Sequence, residues 1–123
     1  MKISNQVTAI LLGCCTLLLA GCGPSHQARQ KVEDFMKDQM SLTGYDVVEW
    51  SEVKPTYFVS DSVLQVMRHA AVSEKQVRSG TQYAKPTSPL QMLRVKYAID
   101  KDTLTKTFYL DDQMTAVVGF KNN

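Results

Sequence analysis

The sequence predicts an α+β domain in which an antiparallel sheet of four or five strands carries two helices on one face, in the order α-β(β)-α-β-β-β. Two segments have apolar residues at helical spacing, and the last third of the chain has three stretches in which apolar and polar residues alternate. Antiparallel sheets commonly bury one face under helices and leave the other face in water.

The first predicted element is a helix over residues 26–42. Ser25 can cap its start, and Gly44 is a natural stop just beyond its end. Five apolar residues recur on one stripe of this helix: Ala28, Val32, Phe35, Met36 and Met40.

The next segment, residues 45–60, is rich in β-branched and aromatic residues and contains Pro55. Proline inside a strand indicates an edge, a bulge or a turn, so the segment forms either two short strands, about 45–53 and 56–60, or one broken strand.

A second helix follows, capped by Ser60 or Asp61 and ending either at Val72 or in the turn before Gly80. Its apolar face is predicted to comprise Val63, Val66, Met67, Ala70 and Ala71. Two prolines make residues 81–89 a loop.

Three alternating stretches, residues 90–99, 103–110 and 114–120, are predicted to form a meander. A two-residue turn at Lys101 and Asp102 would place Arg94 opposite Tyr109.

A three-residue loop, 111–113, would place Phe108 opposite Ala116 and keep the apolar side chains of both strands on one face. This loop requires an Asp in the left-handed region, which Asp tolerates better than most residues.

The N-terminal segment has the pattern of a secretory leader. Lys2 is followed by an uncharged apolar run over residues 7–20, which is shorter than the roughly 20 apolar residues of a membrane-spanning helix. The run ends in the tetrad Leu19-Ala20-Gly21-Cys22, which resembles the lipobox of bacterial lipoproteins. The resemblance implies that the Cys22 thiol carries a diacylglycerol, that residues 1–21 are cleaved as a signal peptide, and that the new amino group is acylated, commonly with palmitate.

Two alternatives to this lipobox remain. Residues 1–21 could be an ordinary secretory signal, with Cys22 a free thiol. A rival tripeptide, Leu12-Gly13-Cys14, would leave an apolar core of about six residues, below the usual 7 to 15.

The resemblance also implies a location and a domain organisation. Residue 23 is Gly rather than Asp, which in Gram-negative lipoproteins implies the outer membrane, facing the periplasm. Residues 22–25 are then a short lipidated tether, and residues 26–123 form a single domain.

Composition narrows the classes of function. Without residues 1–21 the chain keeps 13 of its 14 basic residues against 12 acids, a net charge of about +1, and it has no basic stripe of the kind that binds nucleic acid. Cys14 and Cys15 leave with the leader, so the domain can hold neither a disulfide nor a cysteine metal site.

No catalytic or cofactor motif is present, so the sequence predicts no enzyme, no cofactor and no metal site. Neither His26 nor His69 has a nucleophile or carboxylate at a recognisable spacing. The four aspartates of the meander suit turns better than a cation site, because the two turns lie roughly 20 Å apart at opposite ends of a strand. They are Asp100, Asp102, Asp111 and Asp112.

The remaining candidate is a surface. If helices cover one face of the sheet, the other face presents Arg94, Lys96, Thr105, Thr107 and Tyr109. It is either an ordinary solvated face or a docking face for an envelope protein or small ligand. The leading hypothesis is therefore a lipid-anchored periplasmic accessory protein, bound to the membrane through Cys22.

Two other functions are compatible with the predicted fold. One is a small-ligand carrier with a pocket between the sheet and the second helix, its mouth lined by Trp50 and Tyr57, although Trp50 suits the core better. The other, a cystatin-like protease inhibitor, rests on fold outline alone, since the element order is similar to cystatin-like or NTF2-like domains.

Overall fold

The computed structural model describes residues 23–123, so the predicted signal peptide, the predicted lipobox and Cys22 lie outside the described residues. The described chain is an α+β domain with an open antiparallel sheet, which confirms the predicted class and element order. Its elements are a helix α1 through residues 23–38, β1 (Asp46–Trp50), β2 (Lys54–Thr56), α2 (Asp61–Ser73), β3 (Leu90–Ile99), β4 (Asp102–Leu110) and β5 (Val117–Asn122).

The five strands form one sheet in the order β1-β3-β4-β5, with β2 also paired to β3. The long strand β3 holds both short strands on one edge: β1 pairs with its second half and β2 with its first. Pro55 pairs with Gln91 on this edge strand, where proline is tolerated. Of the two predicted alternatives, the segment therefore forms two short strands, but Pro55 lies inside the second strand, Lys54–Thr56, and the predicted strand over 56–60 is not formed.

Helix α1 buries the stripe that its sequence predicts. Each of the five apolar residues is at most 9% exposed: Ala28, Val32, Phe35, Met36 and Met40. The helix bounds differ from the prediction, since residues 23–25 are already helical and regular helix ends at 38. Ser41 follows at φ 54° and Gly44 at φ 72°, which turn the chain toward β1.

Helix α2 begins as predicted, because the Ser60 hydroxyl accepts a hydrogen bond from the Val63 amide at 3.2 Å. Its buried residues are Leu64 and Ala71, however, and Val66 is 68% exposed. The predicted apolar face is therefore wrong by part of a turn. Leu64 faces inward because it packs against β5, where Gly119 has no side chain and a Cβ would lie 3.2 Å from Leu64 Cδ2.

The turn between β3 and β4 is two residues long, as predicted, but it lies at Asp100 and Lys101. Asp100 adopts φ 53°, and Arg94 consequently pairs with Thr107 rather than Tyr109. The register is shifted by two residues, which leaves every side chain on its predicted face.

The connection between β4 and β5 is longer than the predicted three residues and spans residues 111–116. Phe108 pairs with Phe120 instead of Ala116, and a bulge lies between Tyr109 and Leu110. The Asp111 carboxylate accepts hydrogen bonds from the Thr115 amide at 2.6 Å, the Ala116 amide at 3.3 Å and the Thr115 hydroxyl. This side chain stabilises the wider loop, and Met114 rather than an Asp takes the positive φ, at 56°.

Two apolar clusters fill the domain. The first lies between α1 and one face of the sheet, and both helices contribute to it. At its centre Phe108 stacks on Phe120 with ring centroids 5.3 Å apart, and Phe35 packs edge-on against both rings. Aromatic pairs of this kind add about 0.5–1.5 kcal/mol each beyond the area they bury.

The second cluster is smaller and lies on the other face of the sheet, under the first half of α2. It comprises Leu64, Leu90, Tyr109 and Val118. The prediction that both helices lie on one face is therefore wrong, because Leu64 at the start of α2 packs on the face opposite α1. Among the helices of residues 23–123, none combines the length and the hydropathy that a membrane span requires.

Candidate functional site

The candidate site lies on the sheet face that faces away from α1. Helix α2 covers half of this face, and we call the uncovered half the open face. Because side chains alternate along a strand, those of the open face lie on the other side of the sheet from the buried residues Leu93 and Val95. Its members are Glu49, Arg94, Lys96, Thr105 and Lys121.

Strand register brings these side chains together. Lys96 lies between Glu49 on β1 and Thr105 on β4, and Arg94 shares a row with Thr107 and, through it, Lys121 on β5. Residues directly opposite each other in antiparallel strands have Cβ atoms about 5 Å apart, so three cations and one carboxylate share this small area.

The open face is concave rather than flat. Two adjoining hollows, of about 230 Å³ and about 450 Å³, share Arg94 and Thr105 in their linings. The Arg94 and Lys96 side chains are exposed. Such an arrangement can hold a carboxylate-bearing segment by charge and by hydrogen bonds from the guanidinium.

The structure divides the five residues predicted for this face, of which Thr105 is half-buried and lines both hollows. Arg94 and Lys96 are exposed on the open face, but Thr107 is 2% exposed and Tyr109 is 4% exposed. The Asn123 amide donates a hydrogen bond to the Thr107 hydroxyl at 2.8 Å and covers it, while Tyr109 packs in the second cluster. These two side chains line the larger hollow, as part of the predicted face, but they offer a partner very little surface.

Lys121 and Glu49 belong to the open face but were missed in the sequence. The predicted register left Lys121 beyond the last paired residue, and no pattern marked Glu49 as facing the same way as Lys96. A bulge between Val47 and Glu49 sets the direction of Glu49, and a period of two cannot reveal a bulge.

The other half of this sheet face is covered by α2, and Arg68 fixes the position of this helix. Its Nε donates to the Val118 carbonyl at 2.9 Å and its Nη2 to the Ala84 carbonyl at 3.1 Å. The guanidinium also lies 4.8 Å from the ring centroid of Tyr83. Burial raises the pKa of Tyr83, and the nearby positive charge of Arg68 opposes that shift.

A groove of about 270 Å³ runs between α2 and β5. Its walls are mainly apolar, including Val66, Met67, Ala70 and Phe120, and its polar members include Glu74 and Gln76. This is the place where the carrier hypothesis expected a pocket.

Beside the groove, Lys106 is only 7% exposed. Its amine donates to Gln76 Oε1 at 2.8 Å and to Asn122 Oδ1, and lies 5.8 Å from the ring centroid of Phe120. Burial lowers the pKa of Lys106, and the charge of Glu74 partly opposes the shift.

Trp50 and Tyr57, the predicted mouth of a carrier pocket, occupy different surroundings. Trp50 is partly buried against the first cluster, as preferred from the sequence, with the Arg29 guanidinium 5.6 Å from its ring centroid. Tyr57 is 68% exposed beyond the end of β2.

His26 and His69 are both exposed. Among residues 23–123, no group of three or more His, Cys, Asp or Glu side chains could hold a metal ion.

No protein-family model matches the chain, and comparisons with curated proteins and with solved structures returned no match.

Proposed function

We propose that this protein is a lipid-anchored accessory protein of the bacterial envelope, held through Cys22 at the periplasmic side of the outer membrane, whose open face binds an acidic segment of an envelope protein. The anchor is supported by the tetrad Leu19-Ala20-Gly21-Cys22, which matches a lipobox. The binding role is supported by the open face itself.

The observation that carries the binding role is the excess of positive charge in a concave surface. Arg94, Lys96 and Lys121 surround Thr105, with Glu49 as the acid of the set. A partner that presents two or three carboxylates would neutralise this excess, which favours encounter and fixes orientation.

The first test is charge reversal on the open face. Arg94→Glu with Lys96→Glu should abolish cross-linking to a partner in intact cells, because the surface then repels acidic groups. These exposed substitutions should change the free energy of unfolding by less than about 1 kcal/mol. Cross-linked partners are quantified by mass spectrometry after purification of the lipidated protein in detergent.

Lys37→Glu with Lys85→Glu makes the same change in net charge at two exposed positions, on α1 and in the 81–89 loop, that are not part of the open face, and it is the matched control. A partner that is retained by the open-face variant, or is lost equally in the control, contradicts the binding role.

Anchoring is tested separately by Cys22→Ser, which should leave an uncleaved precursor or release the domain from membranes. A mature, membrane-bound Cys22→Ser protein would contradict the anchor.

The groove between α2 and β5 favours a second candidate function, a carrier for a small apolar ligand. Its volume of about 270 Å³ lies just below the usual range for ligand sites. A carrier should show a rise in melting temperature with a metabolite from a screened panel, and Ala70→Phe, which fills the groove, should remove that rise.

A further inference from the structure

Two adjacent aromatic side chains stand in solvent on the loop that joins β2 to α2. Phe58 is 93% exposed and Tyr57 is 68% exposed. Val63, in the first turn of α2, is 42% exposed and extends the apolar character of this loop. Single exposed apolar residues are ordinary, but two neighbouring aromatics on one loop form a surface that can bind.

The sheet register places this loop at one end of the domain. Thr56 pairs with Leu90, the first residue of β3, and the adjacent Gln91 pairs with Leu110, the last residue of β4. Tyr57 and the connection 111–116 therefore leave the sheet at the same end, which we call the upper end.

Helix α1 starts at the upper end as well. The Gln27 side-chain amide donates to the carbonyls of Gln113 and Met114, at 3.2 Å and 3.1 Å, both in the connection 111–116. Ala28, the first fully buried residue of the helix, follows directly.

The distance from this packed part to the anchor is short. Residues 23–28 are helical, so Gly23 lies about 8 Å along the helix axis from Ala28. Cys22 is the next residue in the sequence. A lipid on Cys22 would therefore hold the upper end of the domain against the bilayer surface.

The charged groups near the upper end are of both signs. Lys54 and Lys85 are exposed there, and so is Asp61 at the start of α2, while Asp112 is half-buried in the connection 111–116. The Asp111 carboxylate is engaged with Thr115 and Ala116. Because neither sign dominates, charge neither drives this end toward a lipid surface nor prevents its approach.

We propose that Tyr57 and Phe58 insert into the interfacial region of the bilayer that carries the Cys22 lipid, so that the domain stands in one orientation on the membrane. The inference rests on the proposed anchor. Aromatic side chains are favoured at the level of lipid headgroups, where their apolar rings leave water. A weak second contact of this kind adds to a covalent lipid at high effective concentration.

The test is tryptophan fluorescence in the lipidated protein that begins at Cys22. Phe58→Trp is made in a Trp50→Phe background, because Trp50 is the single tryptophan of the chain. The protein is reconstituted in vesicles of phosphatidylethanolamine and phosphatidylglycerol that contain lipids brominated high in the acyl chain. Emission from position 58 should shift to shorter wavelength and be quenched by the brominated lipids.

Leu104→Trp in the same background is the matched control. Leu104 is 42% exposed near the β3–β4 turn, at the opposite end of the sheet, and its substitute should be neither shifted nor quenched. If Trp50→Phe impairs folding, Phe58→Trp and Leu104→Trp are made in the protein that retains Trp50. The emission of the native protein is then subtracted from that of each variant.

The outcomes separate the inference from the proposed function. A lipidated, membrane-bound protein in which position 58 is unquenched, or in which positions 58 and 104 are quenched equally, overturns the orientation and leaves the anchor standing. Emission from position 58 that is shifted by a protein partner in detergent, without lipid quenching, overturns it in favour of a protein contact. An unmodified Cys22 thiol overturns the anchor and the orientation together.

Discussion

Lys106 shows how one buried amine is accommodated in this small domain. The strand places it on the face of the first cluster, where apolar neighbours exclude water and its partners are the side-chain oxygens of Gln76 and Asn122. Burial of a charged amine costs free energy unless such partners compensate, and the lowered pKa of Lys106 indicates incomplete compensation.

The pH dependence of stability tests this environment. The pKa of Lys106 is lower in the folded protein than its ordinary value of 10.5, so the unfolded chain binds more protons below pH 10.5. The free energy of unfolding should therefore rise as pH increases toward that value. Lys106→Met should remove this rise and be at least as stable as the native protein near neutral pH. Urea unfolding at about pH 7 and about pH 9.5 measures both effects.

The upper limit of that pH range is set by a tyrosine. Burial, followed by the charge of Glu33, raises the pKa of Tyr45 from 10.0 to about 12. A raised pKa contributes stability that is fully present below pH 10.0 and is lost as pH rises through about 12. Measurements below pH 10 therefore isolate Lys106. Equal slopes in the native protein and in Lys106→Met would contradict the assigned environment.

At the level of secondary-structure elements, Arg68 connects α2 to two other segments. Its guanidinium donates hydrogen bonds to a carbonyl of β5 and to one of the 81–89 loop, and it stacks on Tyr83. Arg68→Lys should lower the free energy of unfolding by about 1–2 kcal/mol, because an ammonium cannot reproduce the planar fork or the stacking.

Arg78→Lys is the matched control, since Arg78 donates to Gln39 Oε1 from an exposed position. Its effect should stay within about 0.5 kcal/mol. Urea unfolding of both variants decides the matter, and equal losses would show that Arg68 has no special role in docking α2.

The elements also show what periodicity can predict. The stripe of α1 was predicted in full because one helix face meets one sheet face and nothing else competes. The face of α2 was not, because Leu64 packs against the space above Gly119 and Arg68 bonds β5, and both contacts depend on tertiary structure.

The sheet registers failed for a different reason. Alternation determines which face a residue occupies, but a shift of two residues leaves that face unchanged, so Arg94–Thr107 and Arg94–Tyr109 pairings satisfy the same pattern. Alternation therefore predicts the face of Arg94 and Lys96 correctly but does not determine their cross-strand partners. For the connection between β4 and β5, the alternation of apolar residues predicts a loop of three residues. The β4–β5 bulge and the hydrogen bonds of Asp111 lengthen this connection.

In the whole molecule, the proposed anchor and the open face lie apart. Both helices start at the upper end, whereas Lys96 and Thr105 lie toward the opposite end of the sheet, near the β3–β4 turn. Strands rise about 3.3 Å per residue, so a strand from Leu90 to Lys96 spans about 20 Å. With the upper end on the bilayer, the open face would be presented to the periplasm at about that height.

The attachment of this domain to lipid is the premise of both proposals, and mass spectrometry of the N-terminal peptide tests it most directly. The protein is purified from the membrane fraction in detergent and digested. The first peptide is expected to begin at Cys22 and to carry a thioether-linked diacylglycerol and an acylated amino group. Membrane-bound protein that retains residues 1–21, or that begins elsewhere with an unmodified Cys22 thiol, would contradict the account.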